Sequence, residues 1–139
     1  MAQLPAPTEG IALTHFIVSK DVERARRFYV DVLGGEAVLA GPEFSIVALG
    51  GSWVTITLSA GPTEDKPGVT LEPPADPSRV SAFMNLRVAN IREACATWSA
   101  KGARFLTPPL DRGQEIRCYL RDPDDHLLEV GQLVGGASL

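Results

Sequence analysis

The chain has 139 residues, 45% of them hydrophobic and 22% charged, with 13 basic and 17 acidic side chains. That length suits one domain able to bury a core without staples, and two cysteines, Cys95 and Cys118, cannot build a disulfide framework. A net charge of −4 with no Lys/Arg-rich block argues against a nucleic-acid partner, and no apolar run reaches the ~18–20 residues that span a bilayer. Met1–Gly10 lacks the positive start and apolar run of a secretion signal, so the expected compartment is cytoplasmic.

In chain order, Leu13–Val18 is a β-branched and aromatic run that predicts a strand. Asp21 follows as a helix N-cap, and Val22, Ala25, Tyr29 and Val32 recur at helical spacing up to Gly34-Gly35. Three strand-like runs come next: Glu36–Ala40, Phe44–Leu49 and Trp53–Ser59, broken by Gly41-Pro42 and Gly50-Gly51. Gly61–Val80 is rich in proline and acid, with Val69–Leu71 as a short extra strand.

The pattern then repeats. Phe83–Val88 is a strand, Asn90 an N-cap with Glu93 as its capping-box partner, and Ile91, Ala94, Cys95 and Trp98 mark a helix ending near Gly102. The runs Ala103–Thr107, Glu115–Arg121 and His126–Gln132 complete a second βαβββ unit. The expectation is a single α+β domain over residues 1–139, with modules 11–59 and 82–133 joined by linker 60–81.

Alternation along each strand assigns side chains to faces. On the first strand, Phe16 and Val18 suit the helix side better than a histidine does, which puts His15 on the opposite face. Met84, Leu86 and Val88 do the same in the second module, so His15 and Asn85 are expected at equivalent positions, with Arg87 beside Asn85. Parity adds Arg117, Tyr119 and Glu129 to this polar face. A plain solvated sheet face accounts equally well for that pattern, and the arginines then pair with Glu115 or nearby aspartates. Cys95 and Cys118 fall on core faces and read as small hydrophobes. His126 points away from Glu129 and reads as structural, and Trp53 is placed to line a cleft mouth.

The repeat, the phrase His15…Arg27-Phe28-Tyr29…Val32-Leu33-Gly34, and Asp122-Pro123-Asp124…His126-Leu127-Leu128-Glu129 together resemble the vicinal oxygen chelate superfamily. That group includes glyoxalase I, bleomycin-resistance proteins, fosfomycin-resistance thiol transferases and extradiol dioxygenases. The resemblance implies two modules forming a partly closed, antiparallel-rich sheet cup, and a homodimer. It also implies metal ligands on the first and last strand of each module: His15 and Glu129, with Asn85 where a histidine is frequent and Thr55 (or Thr57, one step along) where Glu or His is frequent. Such a set would take a divalent Mn, Fe, Ni, Co or Zn ion, or none at all. Asn85 and Thr55 depart from the four-ligand glyoxalase I pattern, and the absence of a second histidine ligand disfavours extradiol dioxygenase chemistry. Asp125 replaces the usual glycine of the Asp-Pro-Asp-Gly turn.

Two functions follow. In the first, a metal-assisted lyase, isomerase or transferase acts on a small oxygen-rich, anionic substrate. Glu129 is its catalytic group, and Arg87, Arg117, Tyr119, Thr55 and Trp53 bind the substrate. In the second, a metal-free protein of the bleomycin-resistance type sequesters a small molecule; the weak ligands at Thr55 and Asn85 favour this one.

Overall fold

The computed structural model describes residues 2–134. The chain divides into two compact units whose boundary, between Ala75 and Asp76, lies inside the segment read as a linker. No helix among the described residues is long and apolar enough to cross a membrane.

The first unit begins with β1 (Thr14–Ser19) and α1 (Val22–Arg27), which runs on through a π-turn at Phe28–Val32. Asp21 caps α1 by accepting from the Arg24 amide, and the helical stretch stops where Gly34 takes a left-handed φ of 84°. Strands β2 (Glu36–Ala40), β3 (Phe44–Leu49) and β4 (Ser52–Leu58) follow. The sheet order is β1-β4-β3-β2, parallel between β1 and β4 and antiparallel elsewhere. Its core gathers Ile17, Val22, Ala25, Tyr29, Val47, Val54 and Ile56, all essentially removed from solvent. Val69–Leu71 does not form a strand; only Leu71 bridges, to Ala60.

The second unit repeats this connectivity. It comprises β5 (Met84–Arg87), α2 (Ile91–Ala100), β6 (Arg104–Phe105), β7 (Leu110–Asp111), β8 (Glu115–Arg121) and β9 (Leu127–Leu133). Asn90 caps α2 through the Glu93 amide, and Gln132 Oε1 accepts from the Ile91 amide at 2.8 Å, tying the helix start to β9. The order is β5-β9-β8-β6, with the short β7 also on β8, and β5 again runs parallel to β9. The run expected over Ala103–Thr107 shortens to the two residues of β6, and β7 has no counterpart in the sequence reading.

The turn Asp122–His126 holds because Asp122 Oδ1 accepts from the amides of Asp124 and His126, both at 2.9 Å. Asp125 sits at φ 68°, the left-handed position where glycine is usual and where aspartate is tolerated.

Candidate functional site

Each sheet has one side covered by its helix and one side free of it. Directly paired residues share a side, so the register decides which residues belong where. In the first unit, Arg26 of α1 donates to Ser45 Oγ at 3.0 Å, which fixes the Ser45/Val47 side of β3 as the helix side. Ser45 pairs with Ile56 and Val47 with Val54, and these pair in turn with Ile17 and His15. His15 therefore lies on the helix side, and the expected face assignment of β1 is reversed. The physical reason is that Ile17 and Ser19 are the buried members of β1, while Phe16 is 57% exposed.

The helix-free side of this unit instead carries Thr14, Phe16, Phe44, Ile46, Trp53, Thr55 and Thr57. Phe16 and Phe44 form a tilted ring pair with centroids 6.2 Å apart. Thr55 is 2% exposed, and its hydroxyl lies 3.4 Å from that of Thr14. Trp53 donates its indole N–H to the carbonyl of Gln3 at 2.7 Å.

In the second unit, the Sγ atoms of Cys95 on α2 and Cys118 on β8 are 3.3 Å apart, which places α2 on the Cys118 side of the sheet. The opposite, helix-free side brings together Asn85, Arg87, Arg117, Tyr119 and Glu129, as strand parity predicts. Asn85, Glu129 and Tyr119 form one row across three strands. Asn85 Nδ2 donates to Glu129 Oε1 and the Tyr119 hydroxyl donates to Glu129 Oε2, each at 2.5 Å, so both carboxylate oxygens are engaged. The bond to Glu129 leads the causes that raise the Tyr119 phenol above its ordinary pKa, followed by burial and the negative field of the same carboxylate.

The next row is Arg87, Gly131, Arg117. Arg117 Nη1 and Arg87 Nη1 each donate to Glu115, on Oε1 and Oε2 respectively, both at 3.2 Å. These two bonds hold the Glu115 carboxyl below the usual glutamate range, Arg117 contributing most. The Arg87 guanidinium lies across Gly131, where a Cβ would come within 2.5 Å of its Nη1. This notch was missed by the sequence reading; a glycine inside a predicted strand was its one available signal. Also missed was Phe83, whose ring meets Tyr119 edge-on at 6.0 Å.

The N-caps give the correspondence between the units. Counting back five residues from Asp21 and from Asn90 reaches Phe16 and Asn85, so Phe16, and not His15, is the counterpart of Asn85. Phe16 pairs with Thr55 as Asn85 pairs with Glu129. At the matched positions on the helix-free sides stand Phe16, the buried Thr55, the amide Asn85 and the carboxylate Glu129, while His15, expected as a ligand, lies on the helix side of its sheet. Only Glu129 is a good donor to a divalent ion, and both its oxygens already accept from side chains of its own sheet. Among the described residues, no group of three or more His, Cys, Asp or Glu side chains is placed to hold a metal. The residues present do not fit the metal that the resemblance implied.

A family model described as the Glyoxalase/Bleomycin resistance protein/Dioxygenase superfamily matches residues 11–130. No curated protein sequence matches the chain. Among solved structures the chain is similar to TioX from Micromonospora sp. ML1, with a TM-score of 0.71 at 20% identity, covering 90% of this chain and 100% of that one. It is also similar to TnmS3, an antibiotic binding protein from Streptomyces sp. CB03234 (TM-score 0.64, 18% identity, 92% and 99% covered). Fosfomycin resistance protein FosX from Mesorhizobium loti matches at a TM-score of 0.64 and 20% identity, with 91% and 93% covered.

Proposed function

The chain belongs to the glyoxalase/bleomycin resistance protein/dioxygenase superfamily, and we propose that within it this protein is a metal-independent binder of a small molecule that carries an acidic group. The observation that carries this reading is the row Arg87, Gly131, Arg117 on the helix-free face of the second sheet. Among the described residues each guanidinium bonds Glu115 through its Nη1, and the other donors of its fork are available to a ligand. Planar guanidinium forks suit carboxylate, sulfate or phosphate oxygens, and Glu115 holds the two forks in place beforehand. The edge-on pair of Phe83 and Tyr119 beside them offers an aromatic surface to the rest of the ligand. An antibiotic binding protein among the similar structures agrees with a binding role for this fold.

Two measurements test it. Metal analysis of protein purified without a histidine tag should find no bound divalent ion and no tight loading. Loading that is lost in Glu129→Ala would restore the metal-assisted reading and overturn this one. Calorimetric titration with a panel of aromatic carboxylates and their neutral methyl esters should show binding that favours the acids. Arg87→Ala and Arg117→Ala should each weaken the best binder by about tenfold or more, roughly 1.4 kcal/mol. A preference for cationic compounds, undiminished in both variants, would sink the proposal.

A further inference from the structure

Away from the proposed binding face, on the helix side of the second sheet, two nucleophilic side chains are held against each other. Cys95 on α2 and Cys118 on β8 approach to 3.3 Å between sulfurs, and both are reduced. A disulfide needs about 2.05 Å, so closing the gap asks for about 1 Å of movement between a helix and the strand it already covers. The two thiols differ in access. Cys118 is 2% exposed and lies under the helix, whereas Cys95 is 7% exposed and forms part of the wall of an open groove of about 540 Å³. That groove runs between α2, through Arg92, Cys95 and Ser99, and the segment containing Phe105 and Pro108.

We propose that Cys95 and Cys118 form a reversible dithiol–disulfide site, in which Cys95 is the entry thiol and the groove beside it admits a small-molecule disulfide as oxidant. The exchange balances in two steps. Cys95 loses its proton to solvent, and its thiolate attacks one sulfur of the oxidant RSSR. The S–S bond of RSSR breaks, one RS⁻ leaves and takes up a proton, and Cys95 carries a mixed disulfide. Cys118 then gives up its proton and attacks the Cys95 sulfur, which expels the second thiol. The dithiol is oxidised by two electrons, and RSSR is reduced to two RSH. The product links α2 to β8 directly behind Arg117 and Tyr119, its neighbours in sequence on the other side of the strand.

Burial pushes the Cys95 thiol up and, aided by the bond to Cys95, raises Cys118 to about 12. Thiolate is therefore scarce at neutral pH and exchange is slow, rising by about tenfold per pH unit until the attacking thiol ionises. This site stands independently of the ligand reading, since it lies on the other face of the sheet.

The test treats the full chain with bis(hydroxyethyl) disulfide in mildly alkaline solution and follows intact mass. Wild type should lose two hydrogens without gaining an adduct, and peptide mapping should join the segments holding Cys95 and Cys118. Its thermal midpoint should rise on oxidation and return on addition of a reductant. Cys118→Ser should stop at one lasting adduct on Cys95, and Cys95→Ser should take none on Cys118. Wild type that stays fully reduced, accumulates adducts on both thiols or crosslinks between chains would overturn the proposal. The wild-type mapping decides the matter even where a serine variant fails to fold.

Discussion

The two sheets share connectivity, capping and the parallel pairing of first and last strand, yet their helix-free faces carry opposite chemistry. In the first unit that face is aromatic and hydroxylic, with Phe16 and Phe44 in ring contact and Thr55 against Thr14. In the second it is a charged lattice in which Asn85 and Tyr119 serve Glu129, while Arg87 and Arg117 serve Glu115. The helix-facing sides need apolar residues in both units, because burial there supplies the folding free energy. The helix-free sides carry no such demand in common, so the copies diverge at matched positions such as Phe16 and Asn85, or Thr55 and Glu129. A repeat in this state keeps one scaffold and offers two surfaces.

One pair of substitutions separates scaffold from surface and has the largest expected effect. In the first unit a Cβ on Gly35 would lie 2.9 Å from the Tyr29 carbonyl oxygen and 3.0 Å from that of Ala48, which are backbone atoms that cannot swing aside. Gly35→Ala should therefore cost about 1–3 kcal/mol in denaturant unfolding. Gly131→Ala clashes with the movable end of Arg87 and otherwise makes ordinary contact with Asn85 Nδ2, so its unfolding midpoint should shift by less than about 1 kcal/mol while ligand binding falls sharply. Equal stability losses in the two variants would erase the distinction between the faces.

Acid should act next, and on the second unit. The Glu115 carboxyl titrates below its ordinary value because Arg117 and Arg87 bond to its charged form. A carboxyl lowered in this way contributes stability that is complete above the ordinary glutamate value of about 4.3 and is lost as pH falls through the lowered one. Thermal midpoints followed into acid should fall for wild type and fall less steeply for Glu115→Gln.

The smallest effect belongs to alkali. Tyr119 is raised by its bond to Glu129, so its contribution is complete below the ordinary phenol value of about 10 and is lost as pH rises through the raised one. The phenolate absorbance assigned to Tyr119 by difference from Tyr119→Phe should titrate late, and Glu129→Gln should bring it back toward the ordinary value. An unmoved titration would mean that the Tyr119–Glu129 bond is not made in solution.

Much of this was legible in the residues. Asp21 and Asn90 announced their helices, Gly34 and Gly102 their ends, and strand parity alone gathered Asn85, Arg87, Arg117, Tyr119 and Glu129 on one face. The side of β1 that faces the helix was not legible. Parity says that His15 travels with Ile17 and Phe16 with Val18, but both sets are mixed. The contact that decides between them, Arg26 to Ser45, joins residues 19 apart. The notch at Gly131 was hidden for a similar reason: a missing side chain acquires meaning only from the arginine that a neighbouring strand lays over it.

The left-handed Asp125 has a consequence for local motion. Its carboxylate holds Arg104 Nη2 at 3.2 Å, and the same atom donates to the Asp122 carbonyl at 2.6 Å. Arg104 opens β6, a two-residue strand at the end of the sheet order, paired with β8. The backbone strain of a non-glycine residue at φ 68° is thus coupled to a clasp on the sheet margin. A glycine there would relax the turn and remove the carboxylate half of the clasp, leaving the bond to the Asp122 carbonyl and a nearly level global stability. The amides of the margin would then exchange with solvent through brief local openings, detached from the unfolding of the whole.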